Sequence, residues 1–150
     1  NLMDKVDFYV TNQHKTNIER ISKGVFDTKY KEVSIANYER AEGKYSFDSY
    51  FSFKENLYKC KASLLRNVQI MEINLLRSKL PTDFDLIMFR NHMLYYNKTL
   101  QFDVLGKLHQ SLKPGGFLFI GVKESLDVVN ADKRFLEINP EDGIYKRSYL

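Results

Sequence analysis

Short polar side chains stand where apolar segments of the sequence end. Asn12 follows the segment VDFYV, and Asn74 closes the segment VQIMEIN. Arg90 and Asn91 come directly after FDLIMF. Such apolar runs are typical of strands in a parallel sheet, and α/β folds bind ligands outside the carboxyl ends of these strands. We therefore expect the polar residues to line one crevice, which would suit a nucleoside-like ligand.

The stretch of residues 84–124 predicts the unit that positions Arg90 and Asn91. It begins with the apolar run Phe84 to Phe89, which we interpret as a strand buried on both faces. Leucines then recur at helical spacing as far as Leu112, and Pro114 with the two following glycines is expected to stop this helix. A second buried strand over residues 117–122 completes a right-handed crossover.

The first forty residues predict one α/β half-unit and a further helix. Residues 6–10 read as a buried strand, followed by a polar turn. Thr16 is a plausible N-cap, with Glu19 in capping-box position, for a helix that ends at Gly24. The segment from Lys29 to Arg40 allows a second helix, although its apolar pattern is only fair.

Two regions show the alternation of antiparallel strands. In residues 44–61 aromatic and apolar side chains alternate with polar ones, which predicts two or three short strands turning near residues 54–56. Their aromatic rings are more often packing groups than a ligand platform. Residues 134–139 and 143–149 form the second alternating pair, a terminal β-hairpin. The predicted fold class is thus α/β, one domain over residues 1–150 with a small β-subdomain.

Composition narrows the class of protein. The chain has 150 residues, of which 43% are hydrophobic and 28% charged, a composition typical of soluble globular proteins. Its net charge of +4 is spread along the chain, so we do not expect nucleic acid as a partner. No apolar stretch approaches the roughly 20 residues that span a bilayer. The single cysteine, Cys60, suits a reducing compartment such as the cytoplasm.

Four segments resemble the chemotaxis receptor methyltransferases, the CheR family. They are LLRNVQIMEINLL, FRNHMLYYNKTLQ, LKPGGFLFIGVKES and VDFYVTNQHKTNIERISKGVFD. Together they cover nearly the whole chain in the family's order. The resemblance implies a Rossmann-like sheet and the use of S-adenosylmethionine to methylate receptor glutamate side chains, leaving S-adenosylhomocysteine.

The same resemblance assigns roles to individual residues. Asn74 and Leu75 would contact the adenosyl part of the cofactor, while Arg90 and Asn91 would face its methionine end. Tyr95 would lie beside the transferred methyl group, where a phenol can orient the acceptor carboxylate without acting as a strong base. Taken singly, each of these residues would more often be an ordinary capping, surface or packing residue.

This sequence also departs from the family pattern. At Asn12 the family usually carries an acidic residue that accepts hydrogen bonds from the ribose hydroxyls. The family's glycine-containing loop, the central strand before it and a helical N-terminal domain all precede the position of Asn1 and have no match here. The chain starts without a methionine, which we interpret as a processed form or a piece of a longer protein.

These departures leave alternatives open. Either residues 6–10 and 84–89 pair directly, or an upstream segment or another subunit supplies the central strand of the sheet. In some family members the β-subdomain docks a receptor peptide, but the glycine-rich turn of those members is not evident here, and a structural role is favoured. The rival function is a degenerate, non-catalytic module that binds a protein partner.

Overall fold

The computed structural model describes residues 5–54, 57–127 and 133–149. The chain divides into two compact units, Asn1–Asn74 and Leu75–Leu150. No helix among the described residues has the length and apolarity needed to cross a membrane.

The first unit contains a parallel pair of strands, a small antiparallel sheet and two helices. Its elements are β1 (Phe8–Asn12), α1 (Lys15–Ser22), β2 (Val25–Asp27), α2 (Lys31–Arg40), β3 (Phe51–Lys54), β4 (Leu57–Cys60) and β5 (Val68–Glu72). Strands β1 and β5 pair in parallel, with Phe8 opposite Val68 and Asn12 opposite Glu72. The predicted strand, helix and second helix are therefore present, but β1 runs two residues further than expected and includes Asn12.

The start of α1 differs from the prediction. Thr16 lies inside the helix, and His14 occupies the N-cap position without a side-chain cap hydrogen bond. The helix begins earlier because the side chain of Asn12 accepts the backbone N–H of His14 at 2.9 Å and turns the chain there. The predicted end is confirmed: Gly24 has a φ of 63° and donates its N–H to the carbonyl of Ile21.

The small antiparallel sheet has the strand order β2-β4-β3. Strands β3 and β4 confirm two of the two or three strands predicted for residues 44–61. The predicted turn near residues 54–56 falls on residues 55 and 56, which lie outside the described part of the chain. A third strand is not formed by the described residues of this segment, where the chain makes a 3-10 turn over Phe47–Tyr50. Strand β2 was not predicted, because its three residues are too few to show an alternating pattern. Phe51 packs against the rings of Phe26, Phe47 and Tyr58, as expected for packing aromatics.

The second unit carries the predicted crossover and hairpin. Its elements are β6 (Phe84–Phe89), α3 (Lys98–Ser111), β7 (Leu112–Ile120), β8 (Phe135–Asn139) and β9 (Ile144–Arg147). The four strands have the order β6-β7-β9-β8, with β6 parallel to β7 and the hairpin β8-β9 antiparallel to it. Its buried core joins α3 to the sheet through residues such as Leu105, Leu118 and Tyr145.

Two expectations about this unit need correction. Strand β6 is not buried on both faces: Leu86 is 47% exposed and Met88 is 65% exposed, because no described element of this unit covers the face on which both side chains lie. The Pro-Gly-Gly segment does not stop α3, which already ends at Ser111. It lies within β7 as an irregularity, since Phe84 pairs with Leu112 and the next pair is Leu86 with Phe117.

Strands β1 and β6 belong to different sheets among the described residues. Both alternatives for the sheet, direct pairing of the two strands and a strand supplied by an upstream segment or a second subunit, stay predictions.

Candidate functional site

In the first unit, the carboxyl ends of β1 and β5 bring Asn12 and Asn74 to one edge. The N–H of Ile73 donates to the backbone carbonyl of Asn12 at 2.9 Å, which joins the two strand ends just before Asn74. The side-chain oxygen of Asn12 accepts the N–H of His14 at 2.9 Å and the amide of Asn17 at 3.3 Å. Asn12 thus forms the turn at the start of α1 and lies at the carboxyl end of β1, where the sequence predicts a ligand.

In the second unit, Leu75 opens a loop that is held by a lysine. Leu75 is partly buried and packs against the core. The ammonium group of Lys107, on α3, donates to the carbonyls of Leu75 and Leu76 at 2.8 Å and of Ser78 at 3.2 Å. Because one charged group on α3 donates to three carbonyls of the loop, it holds the loop backbone in place against the helix.

The loop after β6 carries the other three predicted residues, Arg90, Asn91 and Tyr95. Asn91 has a φ of 60°, a left-handed conformation that asparagine tolerates better than most residues. Tyr95 ends a short 3-10 turn over Met93–Tyr95, and its side chain is 84% exposed. Arg90 is exposed as well. The structure therefore brings these three side chains together on one loop and leaves the phenol accessible.

The bend in this loop is packed on its inner side. The ring of His92 stacks on Phe89 with centroids 4.9 Å apart. Met93 points inward and is buried in the core of the unit. The side chain of Asn97 accepts the N–H of Leu100 and caps α3, so the loop ends at a defined helix start.

Two further residues hold the loop and were missed by sequence reasoning. Glu124, in the segment after β7, accepts backbone N–H groups of the loop, beginning with Met93 at 2.6 Å. Gln101, on α3, donates to the carbonyls of Met93 and Tyr96 at 2.8 and 3.0 Å. The cap at Asn97 has a readable signal, an asparagine before an amphipathic run. No sequence signal identifies the role of Glu124, because its hydrogen-bond partners are backbone groups of residues that are distant in sequence.

The two parallel strand pairs, β1 with β5 and β6 with β7, define an α/β protein, a fold class that binds ligands outside the carboxyl ends of its strands. A model of the family "CheR methyltransferase, SAM binding domain" matches residues 5–141. The chain therefore belongs to this family, which confirms the resemblance and makes S-adenosylmethionine the cofactor.

Several curated proteins are similar to this chain. Putative methyltransferase Cher3 of Pseudomonas putida is 28% identical over 147 residues, which are 98% of this chain and 54% of that protein. Chemotaxis protein methyltransferase 1 of Pseudomonas aeruginosa is 32% identical over 59% of this chain and 32% of its own length. The chemotaxis protein methyltransferase of Salmonella typhimurium is 38% identical over 47% of this chain and 25% of its own length. The chain thus spans about half the length of the first of these relatives, and less of the others.

The donor set of the described residues fits S-adenosylmethionine. The asparagine amides at the edge of the first unit can bond to ribose and adenine groups, and the exposed guanidinium of Arg90 can pair with the carboxylate of the methionine part. Leu75 and Leu76 offer apolar surface for an adenine ring. These assignments of Asn12, Asn74, Leu75, Arg90 and Asn91 remain predictions.

Proposed function

We propose that this chain is the cofactor-binding part of an enzyme that methylates glutamate side chains of a signalling receptor. The observation that carries the proposal is the loop after β6, which bears Arg90, Asn91 and the exposed Tyr95. Its backbone is held by hydrogen bonds to Glu124 and to Gln101. Membership of the CheR family and the names of the relatives from chemotaxis support the choice of reaction and of acceptor.

The reaction is an in-line displacement. S-adenosylmethionine supplies a methyl group on a positively charged sulfur, which keeps the electron pair of the broken bond when a carboxylate oxygen takes the methyl carbon. Because this chemistry needs no strong base, most of the acceleration would come from holding donor and acceptor in line. The products are a glutamate methyl ester and S-adenosylhomocysteine.

Each site residue has a positioning task in this proposal. Asn74 and Leu75 would hold the adenosyl part, and Arg90 with Asn91 would hold the methionine part. The phenol of Tyr95 would donate a hydrogen bond to the acceptor carboxylate and orient its attacking oxygen. The 84% exposure of Tyr95 fits contact with a macromolecular acceptor rather than with a small buried substrate.

The test is methylation by the full-length protein. The protein is incubated with methyl-labelled S-adenosylmethionine and membranes that contain chemotaxis receptors, and the product is treated with base. Carboxyl methyl esters release labelled methanol, whereas N-methyl groups do not. We expect base-labile label in the receptors and a loss of most of it with Tyr95→Phe. Base-stable label, or none from a protein that binds S-adenosylhomocysteine, would contradict the proposal.

A second candidate is a module that retains the fold and binds a protein without catalysis. The observation that favours it is Asn12, whose neutral amide is already engaged with His14 and Asn17. In that case the full-length protein would bind its partner equally well with and without S-adenosylmethionine, and no label would be transferred.

A further inference from the structure

The carboxylate of Glu124 is buried and lies among backbone amides. Its side chain belongs to a residue that is 6% exposed, in the segment that follows β7. One oxygen, Oε1, accepts the N–H of Met93 at 2.6 Å and of Leu94 at 3.3 Å. The other, Oε2, accepts the N–H of Asn91 at 2.7 Å and of Gly121 at 2.6 Å. Both oxygens are therefore used twice, each time by the main chain.

This arrangement makes Glu124 a template for the loop after β6. A buried carboxylate is tolerated only where hydrogen-bond donors replace the water it has lost. Three of the four donors are the amides of residues 91, 93 and 94, so the loop must place three N–H groups around this carboxylate. That requirement selects the left-handed turn at Asn91 and the 3-10 turn that ends at Tyr95.

Gly121 gives this contact the space it needs. A Cβ atom at Gly121 would lie 2.2 Å from Oδ1 of Asn91 and 2.8 Å from Oε2 of Glu124. Real Cβ atoms do not approach other atoms so closely, so a larger residue would push both side chains away. The absence of a side chain at residue 121 thus lets the loop and the segment after β7 meet.

We propose that Glu124 is the positioning residue that sets the shape of the loop bearing Arg90, Asn91 and Tyr95. It touches the loop backbone rather than the ligand, and its effect reaches the ligand through the placement of those three side chains. This inference rests on the proposed function, since it takes these side chains to contact cofactor and acceptor. A purely stabilising role for the buried carboxylate is the alternative.

Glu124→Gln separates the two roles. The variant replaces one oxygen by an NH₂ group, which would face two N–H donors whichever way the amide is turned. We expect the full-length variant to bind S-adenosylhomocysteine about tenfold or more weakly by calorimetry, because a loop with displaced donors must be reordered on binding. Glu137→Gln, which makes the same chemical change on an exposed strand position, should leave the affinity unchanged.

A core variant controls for lost stability. Leu108→Ala removes a buried apolar side chain of α3 and leaves the hydrogen bonds of Glu124 unchanged. It should lower the thermal midpoint at least as much as Glu124→Gln and leave the affinity within about twofold. An equal loss of affinity in both variants, or unchanged affinity in Glu124→Gln, would overturn the proposal.

Two further measurements keep the proposal testable if Glu124→Gln does not fold or the wild-type protein does not bind the ligand. Gly121→Ala keeps the charge and displaces Asn91, so it should weaken binding in the same way, and unchanged affinity would count against the inference. If the wild type binds no S-adenosylhomocysteine, the proposed function fails. Amide hydrogen exchange then still decides the role of Glu124: faster exchange in Gly121→Ala or Glu124→Gln confined to residues 91–94 supports it, and unchanged exchange there overturns it.

Discussion

The backbone N–H of Ile73 donates a 2.9 Å hydrogen bond to the carbonyl of Asn12, so the ends of β1 and β5 meet where the ribose of the cofactor is expected. The side-chain oxygen of Asn12 faces the N–H of His14 at 2.9 Å. A carboxylate in its place would keep that bond with one oxygen and offer the other to ribose hydroxyls. We therefore expect the residue type at position 12 to affect the affinity for the cofactor.

Asn12→Asp should strengthen the binding of S-adenosylhomocysteine. The gain from a charge-assisted bond over a neutral one is about 1 to 2 kcal/mol, or roughly five- to thirtyfold in affinity. Calorimetry on the full-length protein measures it, with Asn37→Asp as a control that makes the same chemical change at an exposed position of α2. No response in Asn12→Asp would favour the non-catalytic module over a weakened enzyme.

Lys107→Met should loosen the loop that begins at Leu75. The methionine keeps the length of the side chain but leaves the carbonyls of Leu75, Leu76 and Ser78 without their shared donor. We expect a loss of about 1.5 to 3 kcal/mol in the free energy of unfolding, measured by urea denaturation.

Lys113→Met is the matched control for this lysine. Lys113 forms an exposed ion pair with Asp85 at 2.7 Å, and such surface pairs contribute about 0 to 1 kcal/mol. If the two variants lost equal stability, the three carbonyl bonds of Lys107 would not hold the loop as described.

Two glycines in the second unit should respond to alanine in opposite ways. Gly143 has a φ of 70°, and a Cβ there would lie 2.6 Å from the carbonyl oxygen of Ile120. Gly143→Ala should therefore destabilise the protein by about 1 to 3 kcal/mol. Gly106 lies within α3, and a Cβ would meet only the flexible end of Arg134.

Gly106→Ala should accordingly be neutral or stabilising by up to about 1 kcal/mol, because alanine loses less backbone entropy in a helix. Thermal unfolding of both variants beside the wild type is the measurement. A destabilised Gly106→Ala, or an unchanged Gly143→Ala, would show that the spacing around these glycines is not as described.

Tyr145 should make the second unit sensitive to alkali. Burial raises the pKa of its phenol above the ordinary value of 10.0. Above that pH the unfolded chain loses this proton before the native protein does, so the native state binds more protons and stability falls as the pH rises. Tyr145→Phe should lose less stability than the wild type between about pH 8 and pH 11, and Tyr149→Phe, at an exposed position, should behave as the wild type.

The sequence predicted the elements that carry long, regular patterns. The strand Phe84–Phe89, the helix after it and the terminal hairpin follow from apolar runs and helical spacing, and the structure confirms them. Short elements such as the strand Val25–Asp27 were not predicted, because three residues are too few to show an alternating pattern. The start of α1 was misplaced because a side chain outside the helix, Asn12, competes with the expected cap at Thr16.

The sequence identified the candidate ligand-facing residues but not the residues that hold their loops in place. Arg90, Asn91 and Tyr95 stand on one short loop, so a local motif was enough to group them. Glu124 and Lys107 hold the two loops through backbone atoms some thirty residues away in sequence. Backbone groups are the same in every residue, so no residue type at the partner position can signal such a contact.

The measurement that tests the central claim most directly is calorimetry of S-adenosylhomocysteine binding to the full-length protein, comparing the wild type with Arg90→Ala. Lys98→Ala serves as the control, since it removes an exposed positive charge at the start of α3. We predict saturable binding to the wild type and to Lys98→Ala, and about tenfold or greater weakening in Arg90→Ala, where the charged partner of the methionine carboxylate is lost. Absence of binding to the wild type, or equal affinity in all three proteins, would contradict the assignment of this edge as a cofactor site.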